Sequence, residues 1–390
     1  MVALNSLVVV VFAASLLGLL HTYFLYPAFL SLLAKRKSNS VKESVRSEWP
    51  SVTLVIAAYN EEDVIEEKIK NSLKLDYPAD KFDIIVFSDE SSDRTDEIVR
   101  TYESDGIELQ RIEGRVGKTE CQNQVTARID SDIVVYSDAN SMYEPNAIKN
   151  LIRGFEPGVG CVVGELQYHD EGGVEGESFY WRYEQIIKRL ESKVNSLVTG
   201  NGSIYAVRRS SYVTLSRDAI SDFAEPLAVI SNGESVKYAS GAVAWEKTGD
   251  SIESERSRRV RIVTRCWNTV FDYLELMNPV RFPLFSFQLI SHKILRWLSP
   301  VLLLFVFLSN LALVLLSSSV LFPLLLLLQL VFYLFALIGM FGESAEIEMP
   351  VLFHVPYYFL VSNYGMLLGL SNFLFGENII TWETVERSAD

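Results

Sequence analysis

Little in this 390-residue sequence is available for soft-metal, disulfide or nucleic-acid chemistry. Three cysteines, Cys121, Cys161 and Cys266, stand singly, without the paired spacing of a disulfide framework or a zinc site. Four histidines, His21, His169, His292 and His354, are as scattered, and His21 and His354 fall in apolar runs. No His-based metal site or catalytic triad is legible from such spacing. Positive charge is in deficit: 35 Lys and Arg against 49 Asp and Glu give a formal net charge of −14. Phosphate backbones are gripped by clustered Lys and Arg, so nucleic acid is not an expected partner. The N-terminus lacks the basic n-region and the small-residue cleavage site of a secretory signal. A complete phosphate loop is also missing: "GRVGKTE" (114–120) ends in Gly-Lys-Thr, but the Walker spacing puts Ile112 where its first glycine belongs. That excludes a P-loop triphosphatase and leaves Lys118 as a point charge for a phosphate or a sugar.

Long apolar runs, by contrast, are plentiful and sit at the two ends. Residues 7–33 are almost uncharged and meet Lys35, Arg36 and Lys37, and at about 1.5 Å per residue they are long enough to cross a bilayer. Residues 298–341 suffice for two more spans, with a natural break at "SSSVLFP" (317–323). The run 351–375 is expected to span as well, although Pro356, Ser362, Asn363 and Gly365 interrupt it and leave a re-entrant or interfacial placement as the alternative. The expected organisation is a transmembrane helix at 1–34, a globular domain at 48–270, an interfacial helix region at 271–297, two to three transmembrane helices at 298–376, and a polar tail at 377–390. The positive-inside rule, applied to Lys35–Lys37 and to the basic stretch Arg256–Arg265, places the polar middle of this multi-pass membrane protein in the cytoplasm. "NPVRFPLFSFQLISHKILRWL" (278–298) is rich in aromatics and is expected to lie in the interface plane with Lys293 and Arg296 snorkelling to water.

The polar middle alternates strand and helix. "VTLVIAAY" reads as a buried parallel strand, "EEDVIEEKIKNSLKL" as an amphipathic helix, "FDIIVFS" as a strand, and "SSDRTDEIVRTY" as a capped helix. "IELQRI", "KTECQNQVTARI" and "DIVVYSD" continue the order as strand, helix and strand. Such an order builds a doubly wound α/β sheet whose ligand site lies beyond the carboxyl ends of the strands. "AAYNEE", "SDESSD" and "SDANS" should converge there. Two of the strands end in Ser-Asp, at Asp89 and Asp138; capping of the next turn is the alternative use of an Asp in that place, and the one preferred for Asp93.

These fragments, together with "RVGKTECQN", "YSDANSMYEPNAI", "SFYWRYEQIIKRLES", "TGNGSIYAVRR", "ISDFAEPL" and "RRVRIVTRCW", resemble in content and order the family 2 glycosyltransferases, specifically the membrane-embedded inverting enzymes with a GT-A fold. The resemblance covers nearly the whole chain. It implies that Tyr59, Glu61 and Asp89 cradle the base and ribose of a nucleotide-sugar donor. It also places Asp138 and Asn140 at the Asp-x-Asp positions, which hold a divalent cation, Mg or Mn, against the diphosphate. Asn140 brings an amide oxygen without charge, so cation and donor are expected to bind together, the phosphates supplying the missing anionic ligands. Ser221-Asp222-Phe223 stands at the family's acidic motif, making Asp222 the candidate base for the acceptor hydroxyl and Glu225 its reserve. A helix N-cap is the other use of Asp222.

"TGNGSIYAVRR" matches the segment beneath the donor sugar. Gly200 and Gly202 permit close backbone approach there, or a tight turn, while Asn201 and Ser203 are candidates for sugar hydroxyls. Trp181 is the candidate acceptor contact; Phe179, Tyr183 and Ile186 fit a core-facing helical stripe. The largest departure lies in the basic stretch: processive synthases carry Gln-x-x-Arg-Trp, and here Arg258, Arg261 and Ile262 align, so a phosphate role survives for Arg261 and Arg258 and the tryptophan does not. Trp267 is too far along the helix to replace it. The expected activity is inverting transfer of a hexosyl or N-acetylhexosaminyl group to a glycan or lipid-linked acceptor. A polyprenyl-phosphate sugar synthase is the second enzyme reading, and a catalytically silent membrane scaffold the reading of another class.

Overall fold

The computed structural model describes residues 2–37, 48–168, 175–247, 252–345, 347 and 349–376. The polar tail expected at 377–390 lies outside them. Eight strands form one sheet: β1 (Val52–Ala58), β2 (Phe82–Asp89), β3 (Ile107–Ile112), β4 (Ile133–Asp138), β5 (Met142–Tyr143), β6 (Val159–Tyr168), β7 (Tyr205–Arg208) and β8 (Ser235–Glu246). Their order is β3-β2-β1-β4-β7-β6-β8-β5. The first four are parallel, as the strand–helix alternation predicts. Beyond β4 the sheet is mixed, with β7 antiparallel to both β4 and β6 and β8 parallel to β6. Every residue of β1 is buried, which accounts for its unbroken apolar run: helices cover both of its faces.

Among the described residues, four helices are long and apolar enough to cross a membrane: Leu4–Arg36, Ser299–Leu316, Leu321–Ser344 and Val351–Leu374. The break between the second and third falls at Ser317–Val320, within the expected interruption. Pro356 sits inside the last helix without ending it.

The region expected to lie flat at the interface is a helix, Pro283–Leu289, continuing through a π-helical turn, Ile290–Ile294, into Leu295–Trp297. Its cations do not snorkel. Arg296 is 3% exposed and ion-pairs with Glu184, while Lys293 faces the same carboxylate at 4.0 Å. The reason is the amphipathic helix Glu175–Val194, which carries two buried acids, Glu184 and Glu191, to this spot. His292 bridges them, with Nδ1 2.8 Å from Glu191 and Nε2 3.2 Å from Glu184. Tyr26, from the first apolar helix, donates its hydroxyl to Glu191 at 2.5 Å. A buried charge without such partners is unfavourable enough that these cations turn inward rather than towards water. The buried stripe of Glu175–Val194 runs through Ile187 and Val194; Ile186, expected in it, is 53% exposed.

The last helix packs in parallel along the basic helix Ile252–Asp272. Gly365 approaches Arg259, Gly369 approaches Val263, and Phe373 stacks on Trp267 with ring centroids 5.9 Å apart. Thr264 adds a hydroxyl bond of 3.3 Å to the Gly369 carbonyl. A Cβ at Gly369 would lie 2.8 Å from Val263 Cβ and 3.0 Å from the Val260 carbonyl. Gly369→Val is therefore expected to pry the two helices apart at a cost of about 1–3 kcal/mol, the range for overpacking a close contact. The check is a thermal melt in lipid, where the substitution lowers the transition temperature and a conservative change at exposed Leu367 does not.

Candidate active site

The carboxyl ends of β1 and β4, the segment Thr199–Ser203, the start of the helix Ser221–Ser231 and the basic helix enclose a cavity of about 450 Å³, within the size range of small-molecule sites. Trp297 and the last helix, through Tyr358 and Met366, close the side of the cavity next to the apolar helices. Of the residues singled out from sequence, Glu61, Lys118, Asp138, Asn140, Trp181, Asn201, Gly202, Ser203, Asp222, Arg258 and Arg261 line it.

Tyr59 and Asp89 stand outside that lining, joined by a residue the sequence reading passed over. Arg115 stacks on the Tyr59 ring, 3.1 Å from its centroid, and donates to Asp89 at 2.9 Å. Asp89 also accepts from the Val116 and Gly117 amides at 2.8 and 3.1 Å, so its carboxylate holds the loop before Lys118. Asn60, Glu90 and Arg115 all adopt left-handed backbone here, with φ of 51°, 58° and 47°. Such conformations are uncommon outside glycine and cluster at binding sites. Asp93, expected to cap, precedes the N-cap Arg94 and instead accepts from the Thr95 and Glu62 amides, each at 3.0 Å, so it holds the turn ahead of the helix.

Asp138 is the first residue of β4 to emerge from the core, and Lys118, opening the helix Lys118–Thr126, ion-pairs with it. Gly202 lies against this pair: a Cβ there would meet Asp138 Oδ2 and Lys118 Nζ, each at 3.0 Å. Gly200 is held as closely, since its amide donates to the Asp222 carbonyl at 2.8 Å and a Cβ would come within 2.6 Å of that oxygen. Close approach, not a left-handed turn, is what both glycines provide. Asn201 is engaged differently from expectation. Its Oδ1 accepts from the Ile204 amide and its Nδ2 donates to the Gly164 carbonyl, both at 3.0 Å, so it pins the loop rather than presenting its amide to a sugar.

Asp222 is inside the first turn of its helix, behind an N-cap at Ile220, which sets aside the capping alternative. Burial raises its carboxyl above the ordinary Asp range and Asp138 adds to the rise, while Lys118, Lys188 and Arg265 oppose it. Two of those cations were not recognised in the sequence. Lys188 donates to the Gly200 carbonyl at 3.2 Å, and burial, with Lys293 nearby, lowers its ammonium to about 8. Arg265 grips the Asp218 and Ala219 carbonyls, fixing the approach to Asp222. Both arrive from helices distant in sequence, and although each lies in a fragment quoted above, nothing in its spacing points it at Asp222. Trp181 reaches the cavity with its indole N–H tied to the Leu166 carbonyl at 2.8 Å. Ile262 lines the cavity at the position where processive synthases are expected to carry tryptophan, whereas Trp267 is buried against Trp297 and Phe373.

The oxygen donors at Asp138 and Asn140 suit a hard divalent cation. Among the described residues no three His, Cys, Asp or Glu side chains gather as a cation cage, so a bound cation here needs ligands from substrate or water.

Comparison with known proteins agrees with this geometry. A family profile described as Glycosyl transferase family 2 matches residues 53–214. Poly-beta-1,6-N-acetyl-D-glucosamine synthase of Staphylococcus aureus (strain MSSA476) is 25% identical over 299 residues, 74% of this chain and 71% of that protein. Probable glycosyltransferase YdaM of Bacillus subtilis (strain 168) is 25% identical over 271 residues, 63% of each chain. Among solved structures, the mannosyltransferase PcManGT from Pyrobaculum calidifontis, in complex with GDP-Man and Mn2+, superposes with a TM-score of 0.70 at 19% identity, over 96% of this chain and 100% of that one. That likeness establishes the GT-A fold.

Glu225, the reserve base, does not line the cavity. It is 1% exposed, neither carboxyl oxygen has a hydrogen-bond partner, and burial raises it well above the ordinary Glu range. A carboxyl protonated in the fold but free to ionise at about pH 4.3 in the unfolded chain withdraws stability as pH rises from there through the folded value. Glu225→Gln is expected to abolish that slope in melts taken across pH, raising stability at neutral pH and leaving turnover close to wild type.

Proposed function

We propose, from the premise that residues 53–214 of this chain form a glycosyl transferase family 2 domain with a GT-A fold, that the cavity transfers a sugar with inversion from a nucleotide sugar to a glycan or lipid-linked acceptor. The observation that carries this reading is the convergence of Asp138, Lys118, Asp222 and Arg261 on one cavity bordered by apolar helices. Asp222 takes the proton of the acceptor hydroxyl while that oxygen bonds to the anomeric carbon, and the bond from that carbon to the diphosphate breaks on the opposite face. The leaving nucleoside diphosphate gathers negative charge, which Lys118, Arg258 and Arg261 offset. A divalent cation at Asp138 and Asn140 would neutralise the same charge. Until the donor enters, the Lys118 ammonium provides positive charge at Asp138; the donor's phosphates draw Lys118 away and free the carboxylate. Enzyme without donor is therefore expected to bind Mg or Mn hardly at all in calorimetry. Trp181 and Trp297 line the acceptor side, and its border of apolar helices suits an acceptor delivered from the bilayer.

The last helix is read as lying along the membrane surface rather than crossing it. From Tyr358 to Phe373, about 23 Å at 1.5 Å per residue, it accompanies a helix bearing Arg258, Arg259, Arg261 and Arg265, which hydrocarbon would not accept. With the catalytic domain cytoplasmic, a cysteine placed at exposed Leu374 should react with a membrane-impermeant maleimide from the cytoplasmic face only. Labelling from the far side would make this helix a span.

The decisive assay is nucleotide release by the lipid-reconstituted protein from UDP-, GDP- and dTDP-sugars, with and without Mg or Mn. UDP-N-acetylglucosamine is the first donor to try, given the synthases it is related to. Release is expected from one donor, dependent on the cation and reduced at least about a thousandfold by Asp222→Asn, in keeping with loss of a general base that is also well positioned. Donor binding without release calls for the acceptor to be added, and no binding of any donor refutes the assignment.

A further inference from the structure

Resting on that donor-site reading, we propose that Glu246 is a ligand of the donor's divalent cation, so that the cation is held by one carboxylate from β4, Asp138, and one from β8, Glu246, with Asn140 between them. The Asp-x-Asp turn would then have its second acid supplied from another strand 106 residues after Asn140 in the numbering of the chain.

The topology makes this possible. After the turn at Ala139–Ser141 the chain forms β5, which pairs antiparallel with the end of β8, setting Met142 against Trp245 and Tyr143 against Ala244. Glu246, the last residue of β8, is thereby brought under the turn, and it lines the same cavity as Asp138 and Asn140. Two hydroxyls hold it there. Ser141, next to Asn140, and Ser203, next to the glycine packed against Asp138, both donate to Glu246 Oε1 at 2.5 Å. One carboxylate oxygen is thus fixed by the two segments that carry the cation site, and a carboxylate has a second oxygen to offer.

The charges point the same way. Asp138 and Glu246 line the same cavity beside Asn140, and two acids facing one space call for a cation. Lys68, fully buried, donates to the Ser141 carbonyl and lies 3.8 Å from the Tyr143 ring centroid, where it feels both carboxylates. It supports the pair from behind, and Lys118 supports Asp138 from the cavity side. Carboxylate, carboxylate and amide oxygen are a hard donor set for Mn or Mg, to be completed by diphosphate oxygens and water.

The test uses the full chain in lipid, with Mn2+ titrated in the presence of saturating UDP or GDP and read by electron paramagnetic resonance of the free ion. Glu246→Gln keeps the shape and an oxygen for the two serines. It is expected to weaken Mn2+ binding at least about tenfold, in line with the dependence of affinity on ligand charge, and to leave nucleoside diphosphate binding in EDTA unchanged. Water-proton relaxation should report additional water on the bound Mn2+ where the carboxylate was. Asn140→Asp added to Glu246→Gln should recover most of the affinity. Should Glu246→Gln fail to fold, Glu246→Asp carries the same relaxation test with a retracted carboxylate. Unchanged Mn2+ affinity and hydration in Glu246→Gln, with Asp138→Asn abolishing binding, would make Glu246 only a tie between two serines and overturn the proposal. Wild type that retains no Mn2+ with either nucleotide would overturn the donor-site reading as well.

Discussion

Two carboxylates on one helix, Glu184 and Glu191, join the polar half of this protein to its apolar half. They are buried, and each draws partners from a segment far away in sequence: Arg296 and His292 from the helix before the C-terminal apolar helices, and Tyr26 from the N-terminal one. Breaking such a cluster by removing one partner leaves a charge that the interior cannot solvate, typically at a cost of about 3–5 kcal/mol. The cluster therefore fixes where the membrane-side helices sit relative to the sheet, and that placement brings Trp297, Lys293 and Arg296 to the cavity. The catalytic geometry on the sheet side is local to the strand ends. The shape of the cavity at Trp297, Lys293 and Arg296 depends on this buried junction.

Within the cavity, the electrostatics are arranged around carboxylates that are costly to ionise together. Asp138 interacts with both Asp222 and Glu246, and burial raises the latter two. Lys118, Lys188 and Arg265 oppose the rise at Asp222, and Lys68 interacts with Asp138 and Glu246. Burial lowers Lys68 to about 7 and Lys188 to about 8, against the opposing pull of the acids beside them. The site is poised for a ligand that brings both signs of charge, which a nucleoside diphosphate with its cation does.

The parts legible in the sequence were those whose signal is local. The parallel strands β1 to β4, the apolar helices and the break near Ser317 follow from periodicity and run length, and Asp138 and Asp222 from their places at a strand end and in a short acidic motif. What escaped depends on contacts across long separations. Glu246, Lys68, Lys188 and Arg115 are ordinary residues in their own segments and become significant only once β5 pairs with β8 or one helix crosses another. Arg296 was misjudged for an instructive reason: snorkelling assumes that water is the best available partner for a guanidinium near a bilayer, and a buried carboxylate is a better one. Asn201 was misjudged because its side chain competes successfully for backbone groups, as asparagine often does in tight loops.

The last helix forms part of the cavity wall through Tyr358 and Met366 while exposing Tyr364, Leu367 and Leu374 on its other side. One face of the cavity is therefore a helix held by another apolar helix, Leu321–Ser344, which packs on it through Gly339 and Phe335. A cavity built this way has one wall that depends on helix packing alone: whatever loosens the apolar helices deforms the side lined by Tyr358 and Met366, while the opposite side rests on the hydrogen-bonded strand ends.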